Sequence, residues 1–108
     1  MGPKELIDVL LGGGSPRRPD RVLPFSEAEV RAHLDAAGRY EAFVDPPGRR
    51  EGVADGQFLI RVGDAFVLCY RERGVTQELE RHADLKTAVL AKIRLLVALS
   101  GLSYGSIE

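Results

Sequence analysis

Residues 56–81 read GQFLIRVGDAFVLCYRERGVTQELER, and this stretch decides the fold. Apolar and β-branched residues dominate 57–62 and 65–71, and Gly63-Asp64 separates the two runs. Glycine in the first position of such a pair is typical of a tight type II′ hairpin turn. A further turn at Glu72-Arg73-Gly74 leads into a third strand over 75–81. The sequence therefore predicts an antiparallel β-meander.

Pairing across these turns predicts two different faces, because residues opposite each other in antiparallel strands point the same way. Val62 is expected to face Ala65, and Arg71 to face Val75. The first face, named the apolar face, then holds Phe58, Ile60, Val62, Ala65, Val67, Cys69, Val75 and Leu79. The second, named the mixed face, holds Leu59, Arg61, Phe66, Leu68, Tyr70, Thr76, Glu78 and Glu80.

Helical patterns lie on both sides of the meander. Leu6 to Leu11 have helical spacing after Pro3, and Gly12-Gly13-Gly14 ends that segment. Ser26 and Glu29 form a capping box that starts a second helix, which ends near Gly38. The apolar residues of the second helix are Val30 and Leu34, with Phe25 placed to pack on Val30.

The last helix is predicted to start after Asp84 and to end at Gly101. Its apolar stripe consists of Leu85, Val89, Ile93, Leu96 and Val97, and Lys86 and Lys92 are expected to lie away from it. We expect the apolar face of the sheet to support this helix, since burial of that face would supply most of the stability.

Tyr40 to Val44 is predicted to be a first strand that ends at Asp45-Pro46-Pro47-Gly48. The fold class is therefore α+β: an antiparallel meander of about four strands packed against a long C-terminal helix and preceded by two N-terminal helices. The 108 residues fit a single domain over 1–108. Residues 12–24, rich in Gly, Pro and Arg, are expected to be a flexible linker-like loop, and residues 103–108 a tail.

The charge balance argues against several classes of partner. The formal net charge is −1, so we expect no binding to nucleic acid or to a membrane surface. No apolar run reaches the length of a membrane span, and the first residues lack the pattern of a secretory leader. Cys69, the only cysteine, cannot form an internal disulfide. These features indicate a cytoplasmic protein.

Few residues are candidates for chemistry. His33 and His82 have no further ligand at metal-binding spacing, and Cys69 lies in a strand on the face assigned to the core. Gly12-Gly13-Gly14 lacks the Gly-Lys-Ser/Thr end of a phosphate-binding loop. We therefore predict no catalytic residue, metal site or cofactor. The alternative is a small enzyme whose site forms only when folding brings His33, His82 and carboxylates together.

The mixed face has the composition of a protein-protein interface, in which apolar anchors sit inside a polar rim. Its predicted partner-binding residues, together with the adjacent turn residue, are Leu59, Arg61, Phe66, Leu68, Tyr70, Glu72, Glu78 and Glu80. Two alternatives stay open. The N-terminal helix can instead cover this face, or the chain can be a structural protein that forms a homodimer through the same face or the C-terminal helix.

Residues 53–95 resemble a family of bacterial polymorphic-toxin immunity proteins, the family numbered 63. The resemblance consists of Tyr70-Arg71-Glu72-Arg73-Gly74, a charged strand after it, and Ala83-Asp84-Leu85 at the start of a helix. It implies a cytoplasmic antidote that binds a cognate toxin domain, obstructs its active site and has no chemistry of its own. The chain departs from the family pattern at residues 86–89, where aromatic residues are expected, so no binding residues are carried over from the family.

Overall fold

The computed structural model of the chain describes residues 1–52 and 54–105. The chain divides into two compact units. One consists of Met1–Arg39 together with the chain from Ile93 onward, and the other of Tyr40–Lys92. The α+β class and the antiparallel sheet are as predicted.

The first unit contains helices α1 (Pro3–Leu11) and α2 (Glu27–Ala37). The predicted capping box at the start of α2 is confirmed. The amide of Glu29 donates to Ser26 Oγ at 3.3 Å, and the Ser26 amide donates to Glu29 Oε2 at 3.0 Å. Gly38 ends α2 in a left-handed conformation that glycine adopts without strain. Val30 and Leu34 are fully buried, as their spacing indicates.

Residues 103–105 do not form the predicted tail, whereas residues 106–108 lie outside the described part of the chain. Ser103 forms a parallel bridge with Val22. The Leu23 amide donates to the Ser103 carbonyl at 2.9 Å, and the Gly105 amide donates to the Phe25 carbonyl at 2.9 Å. These bonds hold the end of the 12–24 loop, which otherwise contains no helix or strand, as its composition predicts.

Tyr104 lies in this paired segment with its hydroxyl buried. The hydroxyl finds no hydrogen-bond partner among the described residues. Burial raises the pKa of Tyr104 from 10.0 to about 12, and the negative charge of Glu27 acts in the same direction. Glu27 itself accepts from Arg94 of the C-terminal helix at 2.6 Å. The folded protein therefore holds the Tyr104 proton more tightly than the unfolded chain does.

This difference predicts that the free energy of unfolding falls as pH rises from about 10 to about 12, because only the unfolded chain releases the proton in that window. Below pH 10 both states are protonated and the contribution is constant. Urea unfolding of the wild type and of Tyr104→Phe across this range measures the effect. The two curves should diverge above pH 10, and parallel curves would show that Tyr104 titrates normally.

The second unit is built on a three-stranded antiparallel sheet in the order β1-β2-β3. The strands are β1 (Gly56–Val62), β2 (Ala65–Glu72) and β3 (Val75–His82). A four-residue helix, α3 (Gly48–Glu51), precedes β1. Helix α4 (Leu85–Leu99) begins in this unit and ends in the first.

The predicted fourth strand over 40–44 is wrong, because Tyr40–Phe43 forms a short 3-10 helix. Tyr40 and Phe43 are both buried, and their spacing of three residues places them on one side of such a turn. Pro46 and Pro47 follow after two further residues, and a proline lacks the amide that a strand ladder requires.

The start of α4 is capped as predicted. The Thr87 amide donates to Asp84 Oδ2 at 2.9 Å, and the Thr87 hydroxyl donates to the same oxygen at 2.7 Å. Within the predicted apolar stripe, Val89, Ile93 and Val97 are buried. The other two, Leu85 and Leu96, are partly exposed.

The two hairpin turns set the register of the sheet. Gly63 has a φ of 60° and Asp64 is not in the positive region, as in the predicted type II′ turn. At the second turn both Arg73 (φ 52°) and Gly74 (φ 78°) are left-handed, as in a type I′ turn. Glu72 therefore pairs with Val75. The predicted pairing of Arg71 with Val75 is wrong by one residue, since the turn has two residues and not three.

The left-handed backbone at Arg73 predicts a stabilising substitution. Asn tolerates this conformation better than Arg, so Arg73→Asn should raise the free energy of unfolding by about 0.5–1 kcal/mol in urea titrations. Asp64→Asn is the matched control, because position 64 of the other turn has no positive φ. Equal shifts in the two variants would contradict the assigned turn type.

Candidate functional site

The two edge strands of the sheet differ in whether their outward backbone groups are hydrogen-bonded. Asp45 causes part of this difference. Asp45 lies just after the 3-10 helix and binds the edge strand β1 at one residue, Leu59. The Asp45 amide donates to the Leu59 carbonyl at 2.7 Å. The Leu59 amide donates to Asp45 Oδ2 at 2.8 Å. The middle of β1 is thereby closed to any further strand.

Lys92 of α4 holds Asp45 in place. Its side chain is buried, and Nζ donates to the Phe43 carbonyl at 2.8 Å and to Asp45 Oδ2 at 2.9 Å. The prediction that Lys92 lies away from the apolar stripe is wrong, because Lys92 is buried together with Val89 and Ile93 of that stripe. The four residues from Ala88 to Ala91 are all buried, so this part of α4 is enclosed on most sides. That continuous apolar run was a signal that a lysine next to it would need an internal partner.

We expect Lys92→Met to lower the free energy of unfolding by about 2–3 kcal/mol, because it leaves a partly buried carboxylate without its cation. Thermal or urea unfolding measures this loss. Lys86→Met on the exposed side of the same helix is the control and should change stability by less than about 1 kcal/mol. If Asp45→Asn in the Lys92→Met background restores no stability, the ion pair does not carry the effect.

The opposite edge, strand β3, is open. Every residue from Val75 to Arg81 is exposed. Among the described residues, no backbone hydrogen bond joins this strand to anything outside the sheet. Along an antiparallel ladder, hydrogen-bonded residue pairs alternate with non-hydrogen-bonded pairs. The pair that flanks a two-residue turn is hydrogen-bonded, and the residues of the next pair direct their amide and carbonyl groups away from the partner strand. Glu72 and Val75 are the pair that flanks the turn, so the amide and carbonyl groups of Thr76 and Glu78 point away from β2.

A β-bulge divides β3 at Leu79. Cys69 pairs with Glu78 and Leu68 pairs with Glu80, which leaves Leu79 as the extra residue. Glu78 therefore lies on the apolar face and Glu80 on the mixed face, although they are only two residues apart.

Several predicted positions on β3 are therefore wrong. The sequence places Thr76 and Glu78 on the mixed face, but they lie on the apolar face, opposite Arg71 and Cys69. It places Val75 in the core, but Val75 pairs with Glu72 and is 64 % exposed. It also places Leu79 in the core, but Leu79 is 43 % exposed because the bulge leaves it unpaired.

The apolar face of β1 and β2 is as predicted. Phe58, Ile60, Val67 and Cys69 form a buried cluster, with Val62 packed against it. The members of this cluster lie on β1 and β2.

Two arginines cover one end of the cluster. The guanidinium groups of Arg49 and Arg71 each lie 4.8 Å from the centre of the Phe58 ring. Arg71 is buried, and its Nε donates to Thr76 Oγ1 at 2.9 Å while Nη1 donates to the Arg49 carbonyl at 3.2 Å. Cation–π contacts and these hydrogen bonds explain how a charged group can be buried there.

A slot of about 200 Å³ lies against the same cluster. The floor of the slot is the buried cluster, and β3 supplies its rim through Thr76, Glu78 and Arg81. Arg81 Nε donates to Glu78 Oε1 at 2.7 Å across this rim, and both side chains are about half exposed. An apolar floor inside a polar rim is the arrangement found at the centres of protein interfaces.

The mixed face does not form one continuous exposed surface. Leu59, Leu68 and Phe66 are buried, so they are not available as exposed anchors. Arg61 is exposed, donates to Glu41 at 3.0 Å and lies 5.0 Å from the Phe66 ring centre.

The remaining predicted residues lie nearer β3. Tyr70 and Glu72 line a depression of about 130 Å³ together with Val75 and Gln77. Glu80 is exposed beyond the bulge, and Glu78 lies on the other face. The eight predicted site residues are thus divided between the interior and both faces of the sheet.

The candidates for chemistry belong to different elements of the fold. His33 lies on α2 in the first unit, and His82 lies at the end of β3 in the second, 3.1 Å from Glu80 Oε1. Cys69 is buried in β2. Residues 1–52 and 54–105 contain no group of three His, Cys, Asp or Glu side chains that could hold a metal ion. In the same part of the chain, no helix is long and apolar enough to cross a membrane.

Comparison of the chain with protein-family models, with curated proteins and with solved structures gave no match.

Proposed function

We propose that this chain is a non-catalytic protein-binding module that docks a partner protein along strand β3. The observation that carries the proposal is the difference between the two sheet edges. Asp45 and the buried Lys92 close β1, whereas β3 is exposed along its length. An edge strand left open in this way is a common docking element, because its unpaired backbone groups can bond to another chain.

The side chains around β3 favour a protein as the partner. Val75 and Leu79 are two of the large apolar residues that remain exposed, and Tyr70 lies beside Val75. Glu72, Glu80 and the Glu78–Arg81 pair surround them with charge. Aromatic and aliphatic anchors within a charged rim suit an interface in which charge sets orientation and association rate.

We further propose that the partner is a bacterial toxin domain and that the chain acts as its immunity protein. The support is the resemblance of residues 53–95 to that class of immunity proteins. In this role the module would cover the active site of the toxin domain by occupying space, which requires no catalytic group of its own.

Co-expression tests this function. The C-terminal domain of the protein encoded immediately upstream should inhibit bacterial growth when produced alone, and this chain should restore growth and form a stable complex with it. In titration calorimetry, Tyr70→Ala and Glu72→Lys should each weaken that complex by about tenfold or more, because they remove an anchor and reverse a rim charge.

Asp64→Lys is the matched control for Glu72→Lys. Asp64 is an exposed acidic residue of the other hairpin turn, at the opposite end of β2. It should leave the affinity unchanged. Absence of growth rescue would refute the immunity role, and equal losses for the two charge reversals would show that binding does not involve the predicted end of the sheet.

A further inference from the structure

Two concave surfaces lie on opposite faces of the sheet beside the same open edge. The slot is on the apolar face, and β3 contributes Thr76 and Glu78 to it. The depression is on the mixed face, and β3 contributes Val75 and Gln77 to it. Successive residues of β3 thus alternate between the two concavities.

Only an extended chain can use both concavities at once, because its side chains alternate with the same period of two residues. A helix laid along the edge would direct its contacts to one side. We propose that β3 accepts an extended segment of a partner protein as a fourth strand of the sheet, and that this segment inserts one apolar side chain into the slot. The inference deepens the proposed function and rests on it.

The backbone of β3 defines where this pairing occurs. Thr76 and Glu78 present outward amide and carbonyl groups. Between Val75 and Glu78 the register is regular, and the bulge at Leu79 interrupts it. The added strand therefore pairs with the regular half of β3, next to the Arg73-Gly74 turn.

The side-chain chemistry of the bound segment follows from the two concavities. A residue opposite Thr76 or Glu78 faces the slot, whose floor is Phe58, Ile60 and neighbouring apolar side chains. A branched aliphatic or aromatic side chain fits a space of about 200 Å³ with such a floor. The next residue faces the depression at Glu72, whose carboxylate favours a basic side chain.

A second copy of this chain is a poorer occupant. Paired antiparallel through β3, a second copy would present Thr76 and Glu78 to the apolar face, and neither is apolar. The slot would stay unfilled. A segment of another protein, with an apolar residue at the alternate position, satisfies both the backbone and the slot.

A phage-displayed library of random linear peptides, selected on the full chain, tests the proposal. Enriched peptides should carry an apolar residue next to a basic one, in an alternating pattern. Glu78→Leu places the protein's own apolar side chain at the slot and should weaken binding of a synthesised enriched peptide by about tenfold. Amide hydrogen exchange should slow at Thr76 and Glu78 when that peptide binds, because their outward amides become bonded.

Asp64→Leu is the matched control. It makes the same acidic-to-leucine change at an exposed position of the β1–β2 turn, which neither belongs to β3 nor lines the slot. It should leave peptide affinity within about twofold of the wild type. Failure to enrich peptides, equal losses in the two variants, or unchanged exchange at Thr76 and Glu78 would overturn the proposal. So would sedimentation of a dimer whose Thr76 and Glu78 amides are already protected without peptide.

The strand-addition mode and the immunity role can fail independently of each other, and the experiments distinguish the two failures. If growth is rescued while Thr76 and Glu78 exchange at the same rate in the complex as in the free protein, the strand-addition mode fails and the function stands. If peptides bind in this mode but growth is not rescued, the immunity role fails and the docking mode stands.

Discussion

The two-residue turn at Arg73-Gly74 is the constraint on which the sheet surfaces depend. Side chains alternate along a strand, so a turn one residue longer would move every side chain of β3 to the other face. With Glu72 paired to Val75, Thr76 and Glu78 lie beside the buried cluster and Val75 lies in the open. The bulge at Leu79 then reverses the alternation once more, which is why Glu80 returns to the mixed face.

The buried Lys92 has a comparable effect on the opposite edge. Burying an ammonium group costs more free energy than a single ion pair usually returns, so apolar residues in place of both Lys92 and Asp45 would serve stability equally well. The contribution of the lysine is to orient a neighbouring side chain. It fixes Asp45, and Asp45 occupies the amide and carbonyl of Leu59, so that one edge of the sheet is closed by a specific polar arrangement.

The features that sequence predicted correctly are those set by near neighbours in the chain. The Ser26–Glu29 capping box and the Asp84 cap each join residues three apart. The Gly63-Asp64 turn follows from glycine alone. The features missed depend on distant contacts or on an unusual conformation. Lys92 and Asp45 are 47 residues apart, and a left-handed arginine is not expected from the Glu-Arg-Gly pattern.

The predicted faces of the sheet are wrong at several positions. Pairing Arg71 with Val75 shifts the register by one residue and places Glu78 on the wrong face. Burial of Leu59 and Leu68 was a second, independent error, because the composition of a strand does not say how many of its faces are covered. Tyr70 and Glu72 stay accessible because they lie close to the Arg73-Gly74 turn that joins β2 and β3.

The charges and the bulge of β3 resemble the devices by which proteins prevent edge-to-edge aggregation, which at first argues against strand addition. Protection against aggregation is compatible with strand addition because only part of β3 is protected. The bulge breaks the register beyond Glu78, so a long strand, including another β3, finds no continuous partner. The four residues before it remain regular and lie beside an apolar slot. Such an edge selects its binding segments both by their length and by their side chains. Its few backbone hydrogen bonds are too weak to hold a segment whose side chains leave the slot empty.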